Sequence, residues 1–262
     1  MLFPRMKTSM TIHIADEHIR QYRDDGFCVV KGLIPPGLME AARHRTIEIC
    51  EATPDWPTSH FQVLDPERYQ AASGSALIAG IQRPAQQEEV FRVVADHPHL
   101  VEAMSRLLGG EVKRFTDQIG VKHAAITEHQ GGRSYFHQDS YYWHIEPHLG
   151  CNCWIPMSAV DRGSIALAVM PGSHRGWTLI DHESYYDDPP MGHLQANFEP
   201  FQRHRIPVDQ ADPSEEVLLP MESGDGLFFT NYTWHRSEPN YSGRTSAFYA
   251  IAYQVRDRAA SR

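Results

Sequence analysis

Arg133-Ser-Tyr-Phe-His-Gln-Asp-Ser-Tyr-Tyr-Trp143 is the stretch on which the reading of this chain turns. Read as a strand, it alternates side chains between two faces, so His137 and Asp139 point the same way. An imidazole and a carboxylate on one face are two of the three ligands of a 2-His-1-carboxylate set. That set suits non-haem Fe(II), because three protein donors leave metal positions open for other molecules. A His-x-Asp alone is a common accident. It gains meaning only with a second His on a strand of its own.

His235 supplies that second imidazole. It follows the turn Ser223-Gly-Asp-Gly226 and the apolar, aromatic run Leu227-Phe-Phe-Thr-Asn-Tyr-Thr-Trp234. The two parts of the set are far apart in sequence. Bringing them together requires remote strands to face each other across a closed sheet, as a small barrel does.

The rest of the chain fits that requirement. From Val112 onward the sequence breaks into short β-rich segments separated by turn residues: 112–122, 133–142, 150–157, 165–170, 217–220, 226–234 and 245–254. Many short strands with regular turns predict a sandwich or barrel. The N-terminal part, 16–108, reads as helical with one early strand. Asp16 is placed to cap a first helix, Asp25-Gly26 turns into Phe27-Cys-Val-Val30, and Pro35-Pro36 opens a helix through Cys50. Helical spacing over Glu88–Leu108 breaks at Pro98 and ends at Gly109-Gly110. Segment 52–86 reads as a long irregular connection, and 178–215, dense in Asp, Glu, Pro and His, as a lid-like insertion over a pocket mouth. The expectation is a single domain over 1–262.

Composition bounds the function. The chain has 262 residues, with 24 Lys plus Arg against 33 Asp plus Glu, a formal net charge of −9. That balance argues against a nucleic-acid partner, which calls for a basic face. No run approaches a membrane span or a secretory leader. Cys28, Cys50, Cys151 and Cys153 read as buried free thiols, which predicts a cytoplasmic protein. His144-Ile-Glu-Pro-His148 is not a zinc-protease box, because its Glu is misplaced and Pro147 spoils the helix. His174 reads as structural.

Taken in order, Tyr22-Arg-Asp-Asp-Gly-Phe-Cys-Val-Val-Lys-Gly-Leu33, His137-Gln-Asp139, Val169-Met-Pro-Gly-Ser-His174, Ser223-Gly-Asp225 and His235-Arg-Ser-Glu-Pro-Asn240 resemble the phytanoyl-CoA dioxygenase family of Fe(II)/2-oxoglutarate oxygenases. The resemblance runs from about residue 17 to 254. It implies a mainly β fold with flanking helices, the double-stranded β-helix or jelly-roll. It further implies Fe(II) held by His137, Asp139 and His235, with 2-oxoglutarate as cosubstrate and O2 as oxidant. The family's cosubstrate arginine falls at Ser246 here. Arg244 would share a face with that position, roughly 6.8 Å away on an extended strand, so the role passes to Arg244, a surface hairpin arginine being the alternative. An arginine fork suits a carboxylate. Ser237, Trp154 and Lys122 complete the cosubstrate contacts, with turn bonding and core packing the other roles open to Ser237 and Trp154. Gln118, Tyr142 and Trp143 are candidates for the substrate, the two aromatics being equally suited to core packing.

The expected reaction is hydroxylation of an unactivated C–H with release of succinate and CO2. Asp139 argues against halogenation, since family halogenases carry a small residue there. The family's substrates range over acyl-CoA, amino acids, osmolytes and secondary metabolites. With no basic phosphate patch or acyl tunnel legible, a small polar metabolite or natural-product intermediate is the expected substrate, and the protein a monomer or homodimer. A catalytically silent binder, or a cupin-like metal enzyme that does not use 2-oxoglutarate, are the rival readings.

Overall fold

The computed structural model describes residues 14–71, 74–123, 134–185 and 190–256. Arg133, the N-terminal segment 1–13 and the tail 257–262 lie outside the described residues. In chain order the elements are α1 (Asp16–Asp25), β1 (Phe27–Val30), α2 (Pro36–Glu51), β2 (Phe61–Leu64), β3 (Ile78–Gln82), α3 (Pro84–Gln87), α4 (Glu89–Ala95) and α5 (Pro98–Leu108). There follow β4 (Val112–Lys122), α6 (Asp139–Trp143), β5 (Gly150–Pro156), β6 (Leu167–Val169), β7 (Glu183–Tyr185), β8 (Met191–His193) and β9 (Arg203–Arg205). The last are β10 (Val217–Leu219), β11 (Gly226–Thr230), β12 (His235–Ser237) and β13 (Ser246–Val255).

Eight strands form one antiparallel sheet in the order β1-β11-β5-β13-β4-β3-β2-β8, and β10-β6-β12 form a second. This is the jelly-roll expected from the sequence. Side chains alternate across each strand, so the large sheet has two working faces. Its outer face carries Ile119, Val121, Cys153, Ile155, Phe228, Tyr249 and Ile251, which pack with Met39, Ile49, Phe91, Val94, Leu100 and Met104 of the helices. Its inner face carries Trp154, Leu227, Phe229 and Ala250, which pack with Leu167 and Val169 of the small sheet.

Local chemistry sets the helix ends. Pro98 opens α5, where its missing N–H costs nothing, and Gly109 closes it at φ +72°. The first helix differs slightly from expectation. Ala15 is its cap and Asp16 its first residue, leaving the carboxylate to act on the helix dipole.

Three expectations need correction. Segment 133–142 is not a strand: His137 makes a lone two-way backbone bridge with His235, Gln138 is extended (φ −116°, ψ 130°), and Asp139 begins α6. Only one extended residue separates the two ligands, but one is enough to keep them on a common side. Segment 226–234 is likewise two pieces. β11 ends at Thr230, and a turn closed by Thr230 and Thr233 carries the chain to β12 in the other sheet. Segment 52–86 holds β2 and β3, both full members of the large sheet. Their cavity-lining positions are Gln62, Leu64, Ala79, Gly80 and Gln82, so the apolar alternation that marks a strand is broken by two amides and a glycine. The insertion 178–215 contributes β8 to the sheet edge and a separate ribbon, β7 with β9.

Candidate metal centre

β12 and the bridge at His137 bring the two imidazoles together, while Asp139 at the start of α6 supplies the carboxylate. Their ligand atoms all lie within 4.8 Å of one another. Asp139 Oδ1 is 3.6 Å from His235 Nε2 and 4.0 Å from His137 Nε2. Each imidazole is turned by its own backbone. His137 Nδ1 donates to the Tyr135 carbonyl and His235 Nδ1 to the Thr233 carbonyl, both at 2.9 Å. A proton fixed on Nδ1 leaves the Nε2 lone pair for a metal. Asn152 on β5 donates from Nδ2 to Asp139 Oδ2 at 3.0 Å, so the other carboxylate oxygen faces the two imidazoles.

Burial tunes these groups for a cation. It pushes the His137 imidazole down to about 3, with His235 adding to the effect, and His235 itself to about 4. Both are therefore neutral ligands at any physiological pH. Burial also raises the Asp139 carboxyl, with His137 and Asn152 opposing the rise. A divalent ion among these atoms supplies the positive charge the carboxylate lacks. Two neutral imidazoles and one carboxylate, open on one side, is a donor set that fits Fe(II).

The triad opens onto a cavity of about 220 Å³ between the sheets. Trp154, Lys122, Ser237 and Gln118 are among the residues that line it. Lys122 Nζ donates to Ser237 Oγ at 2.6 Å and to the Glu238 carbonyl at 2.7 Å. Ser237 also meets Ser134, Oγ to Oγ, at 2.9 Å. Trp154 is 2% exposed and its Nε1 has no acceptor. A buried donor left unmet costs about 1–3 kcal/mol, which an acceptor entering beside the ring would recover.

Arg244 does not join this group. β13 begins only at Ser246, and the preceding residues form a turn, so the strand geometry that would have aimed Arg244 inward does not extend to it. Its exposed side chain lines a separate, larger outer cleft of about 1330 Å³ with Lys31 and Arg43. Ser246 pairs with Lys122 across the β13–β4 ladder, so a cation stands opposite the position where the arginine was expected. Trp143 is also displaced: α6 turns its ring against Phe115 at 5.8 Å, outside the cavity wall. Tyr142 stands 6.3 Å from the His137 ring, centroid to centroid. Its hydroxyl accepts from His204 N and donates to His204 O, tying α6 to the insertion.

The model of the family described as "Phytanoyl-CoA dioxygenase (PhyH)" matches residues 22–246. The chain belongs to this family. Among curated relatives, the rat peroxisomal phytanoyl-CoA dioxygenase (Rattus norvegicus) is 28% identical over 88% of this chain and 65% of its own length. The 1-deoxypentalenic acid 11-beta-hydroxylase of Streptomyces arenae is 24% identical over 85% of this chain and 74% of its own. The chain thus spans just under two thirds of the rat enzyme. Among solved structures, EctD from S. alaskensis with bound Fe superposes with a TM-score of 0.70 at 16% identity, over 96% of this chain and 80% of that one.

Within this family member, several site residues carried no sequence signal strong enough to select them. Asn152 is a lone amide in the otherwise apolar Gly150-Cys-Asn-Cys-Trp-Ile-Pro156, and that isolation was the available clue. Gln138, between the ligands, is fully buried. It donates to the Thr178 and Tyr232 carbonyls and accepts from Ile180 N, anchoring the start of the insertion to the metal segment. Gln62, Gln82 and Phe248 line the cavity from strands, and Arg203 from the insertion.

Proposed function

We propose that this member of the phytanoyl-CoA dioxygenase family is an Fe(II)- and 2-oxoglutarate-dependent dioxygenase that hydroxylates an unactivated C–H bond of a small polar molecule. The observation that carries this reading is the conjunction of the His137–Asp139–His235 set, half-buried at His137 and buried at the other two, with a lysine–serine pair and an unmet indole N–H along one cavity. When bound, iron, 2-oxoglutarate and O2 supply the oxidising power: the cosubstrate leaves as succinate and CO2 while the target C–H becomes C–OH.

The chain's own residues do the remaining work. His137, Asp139 and His235 hold the metal, and Asn152 fixes which carboxylate oxygen faces it. Lys122 and Ser237 provide an ammonium and a hydroxyl for the far carboxylate of a dicarboxylic acid, and Trp154 offers its N–H beside them. This assigns to Lys122 the role that the family gives to an arginine at the Ser246 position. Asp139 occupies the position a chloride would need, which favours oxygenation over halogenation. Tyr142 and Gln138 hydrogen-bond to residues of the insertion, whose Met191 and Arg203 line the cavity, which suits a role in limiting access of bulk water. The net charge of −9 and a cavity of about 220 Å³ favour a small-molecule partner.

The test is a comparison of two cations. Lys122→Met should raise the 2-oxoglutarate KM about tenfold or more, since a charge-assisted hydrogen bond contributes about 1.5–3 kcal/mol. Arg244→Ala should leave that KM where it was. The reverse pattern returns the role to Arg244. Turnover indifferent to omission of 2-oxoglutarate favours the cupin-like alternative, and absence of any turnover favours a silent binder.

A further inference from the structure

The inward face of a jelly-roll sheet is ordinarily apolar, because it meets the opposite sheet across a dry core. One row of the large sheet departs from this half-way along. Leu227, Trp154 and Ala250 stand opposite one another on β11, β5 and β13, and the row then continues through Gln118 on β4 to Gln82 on β3. Gln82 Nε2 donates to Gln118 Oε1 at 3.2 Å. In the adjacent row, Gly80 and Gly120 face each other, and Gln62 lies opposite Gly80 on β2. A Cβ at Gly80 would overlap the Gln62 amide, so that side chain lies across the strand. All three amides line the metal cavity and are half-buried.

From this placement, and resting on the dioxygenase reading above, we infer that Gln62, Gln82 and Gln118 form the substrate platform, and that the substrate presents several hydroxyl or carboxamide groups to it. Each primary amide carries two donors and an acceptor. The Gln82–Gln118 bond uses one donor and one acceptor of the pair and leaves the rest of their capacity for a ligand. A hydrocarbon chain laid on this face would strip water from three amides and return nothing, at about 1–3 kcal/mol for each group left unmet. Sites built to hydrogen-bond a substrate reject the analogue that lacks the group far more strongly than apolar sites reject an extra one. The two glycines let the Gln62 amide and the Phe248 ring lie close over the strands at the same place. The platform thus selects polyhydroxylated or amide-bearing molecules and rejects acyl chains.

The iron-loaded protein with 2-oxoglutarate would be challenged with two panels: monosaccharides, cyclic polyols and amino-acid amides in one, medium- and long-chain acyl thioesters in the other. Compound-triggered succinate release is one readout. Perturbation of the visible absorption of the Fe(II)–2-oxoglutarate chelate, recorded without O2, is the other. The polar panel should contain the responding compounds. For them Gln118→Leu and Gln82→Leu should raise KM about tenfold or more, with the 2-oxoglutarate affinity retained. Response from acyl thioesters instead, a polar response indifferent to both variants, or silence from the polar panel overturns the inference. A wild-type protein that forms no chelate band overturns the underlying activity as well, and does so before any compound is added.

Discussion

Asn152 is buried in β5 with its amide on Asp139, and its own Oδ1 has no partner. Groups that orient a metal ligand typically matter about 10–100-fold in affinity. Asn152→Ala should therefore weaken Fe(II) binding by about that factor in an anaerobic competition titration; an unchanged affinity would show that Asp139 needs no such support. The two imidazoles give a pH prediction. Their values in the folded protein, about 3 and about 4, lie below the ordinary imidazole value of about 6.5. The unfolded chain therefore takes up protons first, and stability present above about pH 6.5 is lost as the pH falls towards those values. The melting temperature of the metal-free protein should drop more steeply between about pH 6.5 and 4 than that of a His137→Gln/His235→Gln variant. Parallel curves would contradict the assignment. At this scale the ligands were legible because donor chemistry is local. Asn152 was not, because its meaning depends on a partner from another element. The position of Arg244 was not legible because Arg244 and Thr245 precede β13 in a turn, and turn ends are poorly marked in sequence.

At the level of elements, Gly120 on β4 is the place where close approach decides a structure. A Cβ there would overlap the Phe248 ring, which stacks on Trp154 with centroids 5.3 Å apart. Gly120→Ala must displace that ring, and overpacking of this kind costs about 1–3 kcal/mol. The denaturation midpoint should fall accordingly, and 2-oxoglutarate affinity with it, since Phe248 and Trp154 share the cavity wall. A midpoint unchanged from wild type would mean that the ring moves freely. The helices were readable in advance because their apolar faces repeat with helical period and end at Pro and Gly. β4, β5 and β13 were readable because they sit over a packed core. β2 and β3 were hidden because Gln62, Gly80 and Gln82 face the cavity at positions where a packed strand would carry apolar side chains, so no regular hydrophobic alternation announces them. The sequence around His137 reads as a strand because His-Gln-Asp alternates, whereas Asp139 starts a helix.

Over the whole molecule, one sheet does two jobs. Its outer face is covered by helices, and its inner face is divided between an apolar core with the small sheet and an open cavity at the His137–Asp139–His235 set. The chain is acidic, yet Lys122 and Arg203 line that cavity, and Asp139 is the single acidic side chain among its described lining residues. A local excess of positive charge in an acidic protein suits an anionic cosubstrate drawn to a fixed place. Among the described residues no helix is long and apolar enough to cross a membrane, and all four cysteines are free thiols. The central claim is that His137, Asp139 and His235 hold an iron that consumes 2-oxoglutarate. The most direct measurement is succinate formed from 2-oxoglutarate by the Fe(II)-loaded protein in the presence of O2, set beside His235→Ala. The account predicts succinate that requires both iron and O2 and disappears in the variant. Succinate formed equally by the variant, or no succinate and no 2-oxoglutarate binding by the wild type, would contradict it.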